Sequence, residues 1–186
     1  MKVASLIAGG ATAEEVRQHL IELDPGPVHE ECLALSPAEL RTLWQRASAD
    51  EVRPQARLVT GASAVYVGRN SLRLFSSFEK WFARLGDHVV GCNRHPLSSF
   101  IGPGYFSVVE RGTDLEFDYS VVPSEAPTGW PRPAANTRLM ARPVYGGLLD
   151  RVVWLTASTL IGAAFRDTRP LDSYFILVRS AELPYA

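Results

Sequence analysis

Lysine is nearly missing from this chain: of its 19 basic residues, 17 are arginine, and only Lys2 and Lys80 are lysine. A GC-rich genome explains that bias as well as chemistry does, so the arginines do not by themselves mark a phosphate or RNA site. Basic and acidic residues nearly cancel, 19 against 20, which excludes a strongly basic nucleic-acid binder. No apolar run approaches the ~20 residues of a membrane-spanning helix. Only two cysteines are present, Cys32 and Cys92, too few for a disulfide framework. Two buried free thiols in a cytoplasmic protein are the expected reading. The opening stretch from Met1 to Gly10 has a charge followed by apolar residues, but it is too short for an export signal, which needs about 7–15 apolar residues.

Several chemistries are absent as motifs. Cys92-Asn93-Arg94-His95 has metal-ligand spacing, but on a strand residues three apart face opposite ways. His19 and His29 stand alone, so no second ligand pair completes a zinc site, and no metal is expected. Ala8-Gly9-Gly10 and Gly102-Pro103-Gly104 lack the strand–glycine–helix setting of a phosphate loop, and neither lysine follows glycines. Gly61-Ala62-Ser63-Ala64-Val65 lacks the second glycine of a nucleophile elbow. No cofactor is implied.

What is present is ordinary globular material, 46% hydrophobic and 21% charged over 186 residues, enough for one domain with a real core. The pattern changes near residue 57. Before it, Thr12-Ala13-Glu14-Glu15 is a capping box ahead of Val16, Leu20 and Leu23 at helical spacing. Asp24-Pro25-Gly26-Pro27 ends that helix. Ser36-Pro37-Ala38-Glu39 caps a second one carrying Leu40, Leu43, Trp44 and Ala47. After residue 57 alternation dominates. In 114–121, Leu115, Phe117, Tyr119 and Val121 face one way, and Arg111-Gly112-Thr113 turns 105–110 into it. Further strands are expected at 63–68, 71–75, 88–95, 138–145, 148–156, 158–166 and 172–180, with Gly146-Gly147 as a hairpin turn. A short helix is expected over 76–85, where Phe78, Trp81, Phe82 and Leu85 fit helical spacing and Gly86 follows. The proline-rich stretch 123–137 cannot be a strand. Its Trp130 anchors it, either as a flap over a barrel mouth or as a surface loop.

These elements predict a mainly β protein. The expected fold is an antiparallel lipocalin-like barrel of about eight to nine strands (57–186), with two helices in an N-terminal segment (1–56) and one short inserted helix. A cone-shaped α+β sheet is the alternative. The aromatics Tyr105, Phe117, Tyr119, Trp130, Tyr145, Trp154 and Tyr174 are the candidate ligand-binding set. Aromatics on an inner sheet face are usually core, so a charge pointing inward would decide. Asp150 shares its face with Val152 and Trp154 and is the first candidate; otherwise it forms an ion pair or sits at a rim. Asp150, Tyr119 and His88 are the candidate catalytic residues, while Arg166 and Arg179 end strands and are expected at solvated rims.

Three C-terminal stretches, Leu149-Asp150-Arg151-Val152, 157–164 and Tyr174-Phe175-Ile176-Leu177-Val178-Arg179, resemble a bacterial lipocalin-like family named for a GXWXG motif. The motif itself is missing, since the residues around Trp44 carry no glycine. The resemblance implies a calycin-type barrel and a small-molecule ligand and assigns no catalytic residue. Three functions follow in order. The first is binding of a hydrophobic small molecule in the lumen. The second is a cofactor-free cyclase or isomerase acting on a polyketide-like or terpenoid substrate by general acid–base chemistry. The third is a partner-binding module using an exposed Trp44 face of the helices.

Overall fold

A computed structural model describes residues 1–72, 76–96, 98–137 and 141–181. Eight strands form a closed antiparallel meander, each paired with its neighbours in sequence and the last with the first. They are β1 (Ser63–Asn70), β2 (Ser77–Leu85), β3 (His88–Arg94), β4 (Tyr105–Arg111), β5 (Asp114–Asp118), β6 (Leu148–Trp154), β7 (Thr159–Arg166) and β8 (Arg169–Arg179). Closure removes the unpaired edges that an open sheet would present.

Four helices precede the barrel: α1 (Val3–Ala8), α2 (Ala13–Glu22), α3 (Pro25–Leu33) and α4 (Pro37–Ala49). Both expected capping boxes form. Thr12 accepts from the Glu15 amide while Glu15 returns to the Thr12 amide, and Ser36 and Glu39 do the same. Asp24-Pro25 ends α2 but also starts α3, because proline at the first helical position costs no hydrogen bond. The expectation of two helices therefore becomes four. Leu20, Leu40 and Leu43 pack on Val153, Ile161, Ile176 and Val178, the outward side chains of β6, β7 and β8. β7 is buried on both faces from Thr159 to Ala164, which explains its unbroken run of apolar and small residues. Trp44 is half-buried against this same cluster. No described helix is long and apolar enough to cross a membrane.

Three expectations are corrected. Residues 77–85 are a strand, not a helix: Phe78, Lys80 and Phe82 point inward, and Trp81 points out against Val65, Cys92 and Tyr105. Nine residues with apolar side chains on both faces satisfy either period, and the sheet's open pairing positions decide. Residues 142–145 form a short helix, α6 (Arg142–Tyr145), rather than a strand; 138–140 lie outside the described residues. Ser71 and Leu72 are a bend, and 73–75 also lie outside the described residues. A four-residue helix, α5 (Ser98–Ile101), follows β3.

The barrel is solid at one end. Phe82, Phe106, Phe117, Val152, Trp154, Leu160 and Leu177 fill it, and Leu58 and Val59 lie beneath. Arg179 seals this end, donating to the Tyr66 hydroxyl at 2.7 Å and to the Leu58 carbonyl at 3.1 Å. It is a half-buried plug, not the solvated rim arginine expected. Three glycines admit the rings. Gly68, Gly91 and Gly162 stand directly opposite Phe78, Phe106 and Phe175 on neighbouring strands. A Cβ on Gly91 would fall 2.4 Å from the Phe106 ring and 2.8 Å from the Trp81 carbonyl oxygen. Each phenylalanine thus lies across its neighbour's bare backbone. Gly91→Ala is expected to destabilise the fold by roughly 1–3 kcal/mol through overpacking. Denaturant midpoints check this, with Phe106→Leu in the same chain recovering part of the loss.

Candidate functional site

Lys80 is the centre of the site. It lies on β2, 2% exposed, and its ammonium points into the barrel. All three of its protons are used: Nζ donates to Asn93 Oδ1 at 2.8 Å, to the Tyr119 hydroxyl at 2.5 Å and to Asp150 Oδ2 at 3.0 Å. Tyr119 donates in turn to Asp150 Oδ2 at 3.1 Å and accepts from Asn93 Nδ2 at 2.9 Å. Five rings surround the ammonium, those of Phe78, Phe106, Phe117, Tyr119 and Phe175, with centroids 4.7–5.6 Å away. Three of them are the phenylalanines seated over glycines.

The four polar groups come from four segments: β2, β3, the end of β5 and β6. Strand parity brings them together, because Phe117 pairs with Asp150 across β5 and β6, and Lys80 with Asn93 across β2 and β3. Burial lowers the Lys80 pKa below the ordinary lysine value, and Asp150 opposes that shift. Burial and the neighbouring Asp150 charge push the Tyr119 hydroxyl well above its usual value, so it stays protonated as a donor.

Above this cluster is a cavity of about 400 Å³. Lys80, Asn93, Tyr119 and Asp150 form its polar floor, and Phe78, Val144, Leu148, Ala164, Leu171 and Phe175 supply apolar wall. Tyr145, at the end of α6, stacks on Tyr119 with centroids 5.5 Å apart and planes 4° apart. Its hydroxyl lies 2.9 Å from His95 Nε2. Burial raises the Tyr145 pKa and holds His95 below the ordinary histidine value. Arg166 stands at the mouth and donates to the Pro143 and Val144 carbonyls, tying α6 to β7. It is a strut rather than a freely solvated rim residue.

The expected site residues divide. Asp150, Tyr119 and Tyr145 meet at the cavity. Phe117 and Trp154 face inward but lie in the packed half. Tyr105 faces outward, its hydroxyl donating to the Pro131 carbonyl at 2.6 Å. Trp130 packs on Trp81 and Tyr105 outside the barrel, so the proline-rich segment straps the wall and does not cover the mouth. Asn136 fastens that strap, donating to the Tyr105 and Tyr119 carbonyls, each at 2.7 Å. Tyr174 lies outside beside Arg41, and His88 is exposed at the β2–β3 turn. Lys80, Asn93 and His95 were not foreseen as site residues. The available signal was the scarcity of lysine together with Phe78-x-Lys80-x-Phe82, which puts a charge between two aromatics on one strand face. Cys32 and Cys92 are free, buried thiols pushed up to about 12 by burial, which makes them poor nucleophiles. Among the described residues, no group of His, Cys, Asp or Glu is placed to hold a metal ion.

Fold and site together define a β-barrel protein with a solid base and an apolar cavity floored by a buried ion pair. Comparison with protein-family models, curated proteins and solved structures finds no match to the chain.

Removing one member of a buried pair leaves the other uncompensated, so Lys80→Met is expected to cost about 3–5 kcal/mol. Lys80→Met/Asp150→Asn should cost less than the two single changes added, and a double-mutant cycle of unfolding free energies reads the coupling. A second expectation concerns His95. Its folded pKa is depressed, so between that value and 6.5 the unfolded chain binds more protons and stability falls as pH drops. His95→Asn should flatten the loss between pH 6.5 and 5.5, measured by denaturant midpoints at both values.

Proposed function

We propose that the protein binds a small, mostly apolar molecule in the barrel lumen, with its polar end at the floor formed by Lys80, Tyr119 and Asp150. The observation that carries this reading is the cavity. It holds about 400 Å³, within the range of small-molecule sites, and pairs an apolar wall with a few convergent polar groups. A barrel that needed only a core would fill both halves with side chains, as the Trp154 half does. A buried ion pair is weak support for stability, so its place on a cavity wall favours a role toward a ligand. Tyr145 and Phe175 would contact the apolar body. The charges on the floor cancel, which favours a neutral ligand over a carboxylate or phosphate.

The eight-stranded meander is compatible with kinship to the calycin group. The three stretches that resemble the GXWXG-type family fall on β6, β7 and β8. We read the protein as cytoplasmic from its two free thiols. Native mass spectrometry of the purified protein, followed by identification of whatever denaturation releases, tests the reading. A stoichiometric apolar molecule, or saturable uptake of an environment-sensitive apolar dye, is the expected result. Ala164 lines the cavity and pairs with Asp150, so Ala164→Leu should fill the floor and weaken dye binding about tenfold or more, equivalent to ~1.4 kcal/mol or more. Full dye binding in a folded Ala164→Leu chain would place the dye elsewhere.

A further inference from the structure

We propose that Asp150 is a general base, and that the cavity moves a proton on a neutral apolar ketone. This rests on the cavity being a ligand site.

Lys80 has no proton left to offer, and the Tyr119 hydroxyl accepts two hydrogen bonds and donates one. Both of the bonds to Asp150 fall on Oδ2. Its other oxygen, Oδ1, has no hydrogen bond among the described residues, and Asp150 lines the cavity. The floor therefore presents one bare carboxylate oxygen whose partner oxygen is clamped by an ammonium and a phenol. The clamp fixes the carboxylate at the cavity floor and leaves Oδ1 without a donor among the described residues. A carboxylate held this way is suited to take a proton from carbon.

The second half of the chemistry sits beside it. Tyr145 stacks face to face on Tyr119, which places its hydroxyl on the same cavity. That hydroxyl has the His95 ring at 2.9 Å. When His95 carries its proton on Nε2, it donates to Tyr145, and the Tyr145 proton can point at a bound molecule. A carbonyl oxygen placed there meets a donor while its α-carbon meets Asp150 Oδ1. In the step itself, the α C–H bond breaks and its proton passes to Oδ1. The electron pair forms a C=C bond as the carbonyl π pair moves to oxygen, which Tyr145 stabilises by hydrogen bonding. Return of the proton from Asp150 to the α-carbon, or to the γ-carbon of an enone, restores the carboxylate. Atoms and electrons balance without an oxidant, a reductant or a cofactor.

The test follows deuterium uptake into 2-tetralone in D2O by NMR, with displacement of the apolar dye by the same ketone measured in parallel. The intact protein should give saturable exchange above the buffer rate. Asp150→Asn should remove at least about a hundredfold of it. Tyr145→Phe leaves the ion pair untouched and so guards against a folding defect; it should lower the exchange rate at saturation roughly a hundredfold. Among the described residues, the ionisable groups around the cavity are Lys80, His95, Tyr119, Tyr145 and Asp150, with Arg166 at the mouth. Lys80 is a positioning residue that holds Asp150 Oδ2, so Lys80→Met should lower the exchange rate at saturation more than it weakens dye displacement by 2-tetralone. Exchange no faster than buffer while 2-tetralone displaces the dye would overturn the base and leave the ligand reading standing. Failure of 2-tetralone and of every apolar dye to bind would overturn both.

Discussion

One ammonium inside a barrel sets the terms for everything around it. An unpaired lysine there would cost several kcal/mol or lose its charge. Asp150 supplies the countercharge, Asn93 and Tyr119 take the remaining protons, and five rings close round the group. Those rings reach it because three glycines leave space across the adjacent strands. Glycine in a strand is normally a weakness, for it packs nothing and costs backbone entropy. Here Gly68, Gly91 and Gly162 let Phe78, Phe106 and Phe175 lie across neighbouring strands.

The same arrangement divides the lumen. Toward Arg179 and Leu58 the inward side chains are large and interlock. Toward Arg166 and Leu148 they include Ala164 and Ser173, and space remains. The outside is supported unevenly: α3 and α4 lie against β7, β8 and β1, and the proline-rich strap with Trp130 covers Val65, Trp81, Cys92 and Tyr105. Both supports hold strands that build the site, the helices through β8, which carries Phe175, and the strap through Asn136 on the Tyr119 carbonyl. A site assembled from distant segments needs this scaffolding, because loss of register by one residue would turn Lys80 or Asp150 to the opposite face.

Part of the site was legible in advance. Alternation in 114–121 put Tyr119 on an apolar face, and parity in 148–156 put Asp150 beside Trp154. What could not be read was whether Asp150 had a partner or which one, since Lys80 is 70 residues away in sequence. Lys80 was also hidden by an ambiguity of period. Phe78, Trp81, Phe82 and Leu85 satisfy a helix, and only the pairing of β2 with β1 and β3 makes their alternation the governing pattern. Tyr105, Trp130 and Tyr174 carry the same aromatic signal as the lumen residues, but aromatics also cover the outside of a barrel when helices or loops pack there.

The sequence by itself determined what local interactions decide: both capping boxes, α2 and α4, the hairpin of β4 and β5, the last three strands within a few residues, and the exclusion of Pro123–Pro133 from the sheet. These depend on neighbours within one turn or one strand, so a short window contains their cause. Closure into a ring, the inward face of β2, the division into a packed half and an open half, and the meeting of Lys80, Asn93, Tyr119 and Asp150 were decided only by tertiary structure. Each depends on register between strands far apart in the chain, and a buried charge finds its partner through that register rather than through sequence proximity.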